Sequence, residues 1–160
     1  MKFTLRVFQD KIIFGVVSGL IAHGVMEIFE FFFWKANLLK HTLAHYAGSI
    51  IIDLHTLHHT SYGSVVSFLA DYIYGAILGV FFIYLVTGTK NLREGRGYFI
   101  LKGLFYGAFL WFFSYGGLRS LSIVKLREVG PGDALIAFFL HLLFGFLLGW
   151  ITHKYWRFDS

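Results

Sequence analysis

Four stretches of about 20 predominantly apolar residues, 12–34, 64–87, 98–118 and 133–152, take up more than half of a 160-residue chain. A helix rising 1.5 Å per residue needs about that length to cross the hydrocarbon of a bilayer. Hydrophobic residues make up 57% of the chain and charged residues 14%, where soluble domains carry about a quarter charged. The chain therefore reads as an all-α integral membrane protein. The expected architecture is a single transmembrane domain over 1–160, a four-helix transmembrane bundle with an interfacial helical segment between spans 1 and 2. The turn-rich stretch GTKNLREGRG separates spans 2 and 3, and Gly130-Pro131-Gly132 ends the loop before span 4, where Asp133 could cap the new helix. Lys2, Arg6 and Lys11 precede an apolar run that continues to Trp34, too long for a signal-peptide core, so the first segment is expected to be a retained span.

Lys and Arg near span ends set the expected orientation. Lys2, Arg6, Lys11, Lys90, Arg93, Arg96, Lys102, Lys154 and Arg157 fall on the side of the termini. Lys35, Lys40, Arg119, Lys125 and Arg127 fall on the other. Both termini are thus expected in the cytoplasm. The net charge of +5 suits anionic headgroups; its basic residues are scattered at span ends, so nucleic acid is not an expected partner. Trp34, Trp150, Tyr155 and Trp156 fall near the interfaces, and the 20 phenylalanines read as lipid-facing and packing residues.

Each span holds one Gly-xxx-Gly: Gly15/Gly19, Gly75/Gly79, Gly103/Gly107 and Gly145/Gly149. In lipid, close backbone approach through small residues is what holds helices together, so these predict a tight bundle, a homo-oligomer, or docking into a larger membrane complex. Polar residues follow the same stripes: His23, Glu27 and Glu30 after Gly15/Gly19, Asp71 before Gly75, His141 before Gly145. Counting 1.5 Å per residue from span midpoints puts His23 near the midplane. Glu27, Glu30, Asp71 and His141 then lie roughly 6, 10, 7 and 2 Å toward the extracytoplasmic side. Ser114 and Tyr115 are the polar residues of span 3 at comparable depth.

An ionisable residue in a span costs at least about 2.5 kcal/mol and marks function by default. Imidazole and carboxylate together suit Zn²⁺, Fe²⁺ or Mn²⁺, and the same groups could relay protons; interhelical hydrogen bonding is the structural alternative. Glu27-x-x-Glu30 is present but no Glu-x-x-His is, which speaks against a di-iron bundle. His23 and His141, on different spans at similar depth, could instead clamp a b-type haem. The absence of cysteine removes disulfides, thiolate metal sites and a thiol nucleophile. No nucleophile elbow, Walker A or dinucleotide fingerprint occurs, so enzymatic activity is not expected from any soluble-enzyme motif.

The external segment 35–63 holds His41 and His45 as HxxxH and His55, His58 and His59 as HxxHH. An i, i+4 pair on a helix can share a metal ion. On one unbroken helix the two groups would stand about 21 Å apart, so they could meet only if the chain folds near Gly48-Ser49. Alternatively the segment lies in the interface, with Ile50, Ile51, Ile52, Leu54 and Leu57 in the acyl boundary. The two boxes resemble the first half of the histidine-box pattern of integral-membrane desaturases and hydroxylases. The second set, which those enzymes need to hold two irons, has no counterpart: only His141 and His153 follow His59.

LKGLFYGAFLWFF (Leu101 to Phe113) and LHLLFGFLLGWITHKY (Leu140 to Tyr155), within a four-span layout over about 12–156, resemble the YqhR family of small membrane proteins from spore-forming bacteria. The resemblance implies a multi-pass protein of the bacterial cytoplasmic membrane and carries no catalytic residue across. Three functional readings stand open: a divalent-metal or proton site formed by His23, Glu27, Glu30, Asp71 and His141 and supplied by the histidine-rich segment, a non-enzymatic accessory subunit docked through its glycine stripes, and a haem b protein.

Overall fold

The computed structural model describes residues 10–88, 96–118, 120–124 and 130–156. Among them every regular element is helical. The helices are α1 (Lys11–Lys35), α2 (Leu43–Ile51), α3 (Leu54–His59), α4 (Ser61–Gly88), α5 (Arg96–Trp111), continued by a π-helical segment Phe112–Leu118, and α6 (Pro131–Tyr155). Four of them, α1, α4, α5 with its π continuation, and α6, are long and apolar enough to cross a membrane. They match the four expected spans to within three residues at each end. Lys2, Arg6, Lys90, Arg93, Arg119, Lys125, Arg127 and Arg157, on which the expected orientation leans, lie outside the described residues.

The helix ends follow from local chemistry. The Asp10 carboxylate accepts the Ile12 and Ile13 amides at 2.8 and 3.0 Å, satisfying donors the first turn leaves open. Asn37 takes the left-handed conformation after α1, with φ 56°, which asparagine tolerates better than most residues. Pro131 stands at the first turn of α6, where its missing N–H costs nothing. Asp133 stands in the first turn of α6 and caps the helix from there, its carboxylate accepting the amide of the N-cap residue Gly130. Its two oxygens accept the amides of Gly130 at 3.2 Å and Lys40 at 3.4 Å, so it ties the 1–2 connection to the mouth of span 4.

The bundle consists of two antiparallel hairpins, α1 with α4 and α5 with α6, joined through α1 and α6. Each hairpin closes on its glycines. A Cβ at Gly19 would meet the Gly75 carbonyl and Gly79, and one at Gly15 would meet Val80. A Cβ at Gly103 would fall on the Gly145 carbonyl, one at Gly107 on the His141 carbonyl, and one at Gly149 on the Phe99 carbonyl. All four glycine pairs are thus covered within the chain. Phe14 and Trp156, with ring centroids 5.0 Å apart, pin the hairpins together at one end, and Phe82, Ile83 and Leu148 fill the core. Phe32, Phe105 and Phe112 point outward, as a lipid-facing surface requires. Lys35 stands over Trp34, Lys102 over Tyr98 and Lys154 over Trp150, pairing cations with aromatic rings at the span ends.

The histidine-rich segment departs from one continuous helix. The chain breaks at Ile52-Asp53, where Asp53 caps α3 through the Thr56 amide and hydroxyl at 2.9 and 2.7 Å. Hydrogen bonds from the Thr56 amide and then its hydroxyl hold the Asp53 carboxyl below the usual carboxylate range. The cap therefore survives until pH falls through that lowered range. α2 lies across α4 at Gly48, where a Cβ would strike the Ser67 hydroxyl and Leu57. Ile50 and Ile51 face outward while Leu57 is buried, so this segment covers α4 with one face and presents aliphatic side chains with the other.

Gly145→Leu should lower the thermal midpoint of the detergent-purified protein by the equivalent of about 1–3 kcal/mol, the usual cost of overpacking. Gly24→Ala, where a Cβ would meet only the Tyr72 hydroxyl at 3.8 Å, should leave the midpoint unchanged or raise it, and serves as the matched control.

A candidate intramembrane metal and proton site

The register set by the glycines decides which polar side chains meet. With Gly19 against Gly75, His23 one turn further along α1 comes opposite Asp71 one turn earlier on α4. His23 Nε2 and Asp71 Oδ2 are 3.0 Å apart, and both residues are almost wholly buried, 2% and 3% exposed. The imidazole ring rests on Gly75, where a Cβ would come within 2.9 Å of it. Tyr72 and Phe144 present ring edges to it, at centroid distances of 5.1 and 6.3 Å.

Glu27 stands one turn beyond His23 and is half-buried. Its carboxylate lies beside the Tyr72 hydroxyl. Among the described residues, His23, Glu27 and Asp71 form the one grouping of three candidate ligands, their ligand atoms all within 4.8 Å of one another. Metal–ligand bonds of about 2.0–2.2 Å place tetrahedral ligand atoms some 3.5 Å apart, so side-chain adjustments of about an ångström would close the set on an ion.

His141 is buried on α6 and lines the same cavity as His23 and Asp71. Its Nδ1 bonds the Ala137 carbonyl at 2.7 Å. A carbonyl only accepts, so Nδ1 carries a proton, and in the neutral ring Nε2 is then the lone-pair nitrogen. This is the outer bond that metal-ligating histidines make.

Glu30 is buried too but belongs elsewhere. Its carboxyl group accepts the Leu43 amide at the start of α2, so it fastens the histidine-rich segment to α1. In that segment His41 and His45 have ring centroids 6.2 Å apart, and His55 and His59 are 4.9 Å apart. His45 Nδ1 contacts the Thr42 hydroxyl at 2.6 Å as part of the α2 cap. For His58 only the backbone is described. His41 precedes Thr42, the N-cap of α2, so HxxxH does not form an i, i+4 pair on one helix; the break at Ile52-Asp53 sets it apart from His55 and His59 on α3, and among the described residues the two boxes do not combine into a group of three.

Helical spacing selected His23, Glu27, Asp71 and His141 for one layer. Two contributors were missed, Tyr72 and Phe144. Tyr72 sits one residue after Asp71, off the glycine stripe, and nothing in spacing alone assigns it to Glu27. Phe144 sits one turn after His141, where a phenylalanine in a span reads as packing.

Comparison with family models, with curated proteins and with solved structures finds no match for this chain.

Glu30→Ala should leave the four spans in place while releasing the start of α2. Hydrogen exchange at the amides of Leu43 to His45 should quicken by about tenfold, the equivalent of about 1.4 kcal/mol for a lost hydrogen bond.

Proposed function

We propose that this protein is a multi-pass membrane protein that holds a divalent transition-metal ion inside the bilayer. His23, Glu27 and Asp71 are the ligands, and His141 is available as a fourth. The observation that carries the reading is the convergence of those three ligand atoms from two spans, two of them on buried residues and the third on half-buried Glu27. A dry setting favours it: a carboxylate and an imidazole removed from water are costly alone and are stabilised by a cation between them. Zn²⁺, Fe²⁺ and Mn²⁺ all accept this donor set. The His41–His45 and His55–His59 pairs, at the end of the bundle where α1 and α4 are connected, would collect the ion. On the Lys and Arg distribution and the resemblance to the YqhR family, we read the membrane as the bacterial cytoplasmic one, with both termini in the cytoplasm.

A second reading, proton relay, draws on the direct 3.0 Å bond between His23 and Asp71, which is a ready path for a proton between α1 and α4. Two other readings have less support. His23 Nε2, the nitrogen a haem would need, is bonded to Asp71, and the glycine stripes of an accessory subunit are covered by the chain itself.

Elemental analysis of the detergent-purified protein, after exposure to Zn²⁺, Fe²⁺ or Mn²⁺ and desalting, should find about one ion per chain. His23→Ala and Asp71→Asn should each reduce that content by about tenfold or more. Metal below about a tenth of an ion per chain in the wild type overturns the metal reading. The relay reading then stands or falls on whether vesicles containing the protein pass protons in a way that Asp71→Asn abolishes.

A further inference from the structure

α4 and α5 follow one another in sequence yet touch sparsely, and the space they leave is a cavity of about 260 Å³ bounded by α2, α4, the π-helical segment and α6. Most of its wall is aliphatic, with Leu43, Ala47, Ile50 and Ile51 from α2 and Ile73 from α4. Ile50, Ile51 and Ile73 are also 42%, 61% and 59% exposed on the outside of the bundle. Side chains that line a cavity and face outward at once mark its mouth. On a membrane-spanning bundle that mouth gives onto lipid.

The inner end is polar. His23, Asp71 and His141 form its floor, and Tyr74 and Ser114 stand beside them. The Tyr74 and Ser114 hydroxyls are 3.4 Å apart, well beyond the 2.7–2.8 Å preferred for O–H···O, so a ligand oxygen can replace this weak bond. His141 offers Nε2 as an acceptor, as argued above.

The π-helical segment is the second observation. It contributes Ser114, Tyr115 and Leu118 to the wall while Phe112 and Phe113 face outward. π turns are rare and are frequently found at functional sites. Here the segment turns two hydroxyl-bearing residues toward the cavity.

We propose that the cavity binds one lipid-soluble alcohol, with an aliphatic body against α2 and its hydroxyl at the polar floor, taken up from the bilayer between α4 and α5. A hydroxyl both donates and accepts, which matches an imidazole acceptor beside two hydroxyl groups. A hydrocarbon would offer nothing to His141 Nε2 and would leave the Tyr74–Ser114 bond long, and a charged head would have to shed its water. The volume lies below the roughly 300–1,000 Å³ of pockets for drug-sized ligands, which fits a single slender chain rather than a whole phospholipid. This site does not depend on an ion being held by His23, Glu27 and Asp71; it needs only that His141 Nε2 not be a ligand to that ion.

The test is photolabelling of the full chain in phosphatidylcholine vesicles with a diazirine-bearing long-chain primary alcohol, followed by peptide mapping. The expected labels fall within 43–51 and 112–118, and an excess of unlabelled alcohol removes them by about tenfold while the alkane of equal length does not. Ala47→Trp and Ala70→Trp, which fill the cavity, should abolish those labels and leave background labelling at Phe105 on the lipid face intact. Labelling that does not saturate, or that spreads evenly over lipid-facing residues, overturns the proposal. Equal competition by the alkane overturns recognition of the hydroxyl. Because the competition uses the wild-type chain, the result stands even if a tryptophan variant fails to fold.

Discussion

Backbone laid on backbone at the glycines is the contact from which the remaining structure follows. Between two helices in lipid there is little hydrophobic drive, and attraction comes from atoms brought close enough for dispersion to add up. Gly19 on Gly75 and Gly79, and Gly103 on Gly145, bring the helix axes nearer than any side chain would allow. That proximity also sets register, because a carbonyl fits against a missing Cβ at one position and not at the next.

Register in turn places the polar residues. On α1 and α4 the positions one turn beyond the glycine contact are His23 and Asp71, and they meet at 3.0 Å. Two charged or chargeable groups in lipid would each be costly alone; facing one another they satisfy each other. The same closeness lets the imidazole lie on Gly75, which holds the ring where Glu27 and Tyr72 can reach the neighbouring space. The site is a consequence of how the hairpin closes.

Span 3 shows where reading the pattern ran out. Its glycines mark the face that meets α6, and the structure has them there. Nothing in the run from Phe112 to Leu118 forecasts a π-helical turn, since it contains no proline and only ordinary span residues with Gly116-Gly117. Glu30 is a second instance. Its place on the stripe assigned it to the polar layer, but α2 folds back over the end of the bundle and offers the Leu43 amide to it. Helical periodicity assigns a side chain to a face of its own helix; it carries no information about a segment that returns from further along the chain.

Length, apolar content and glycine spacing were enough to decide the number of spans, their ends and the faces by which they pack, because these depend on bilayer thickness and on steric fit along one helix. The pairing of α1 with α4 and α5 with α6, the loose seam that leaves a cavity, the break at Ile52-Asp53 and the separation of Glu30 from His23, Glu27 and Asp71 were decided only when the helices came together. Those features belong to contacts between residues distant in the chain. A local pattern of hydrophobicity cannot encode which partner each face will find.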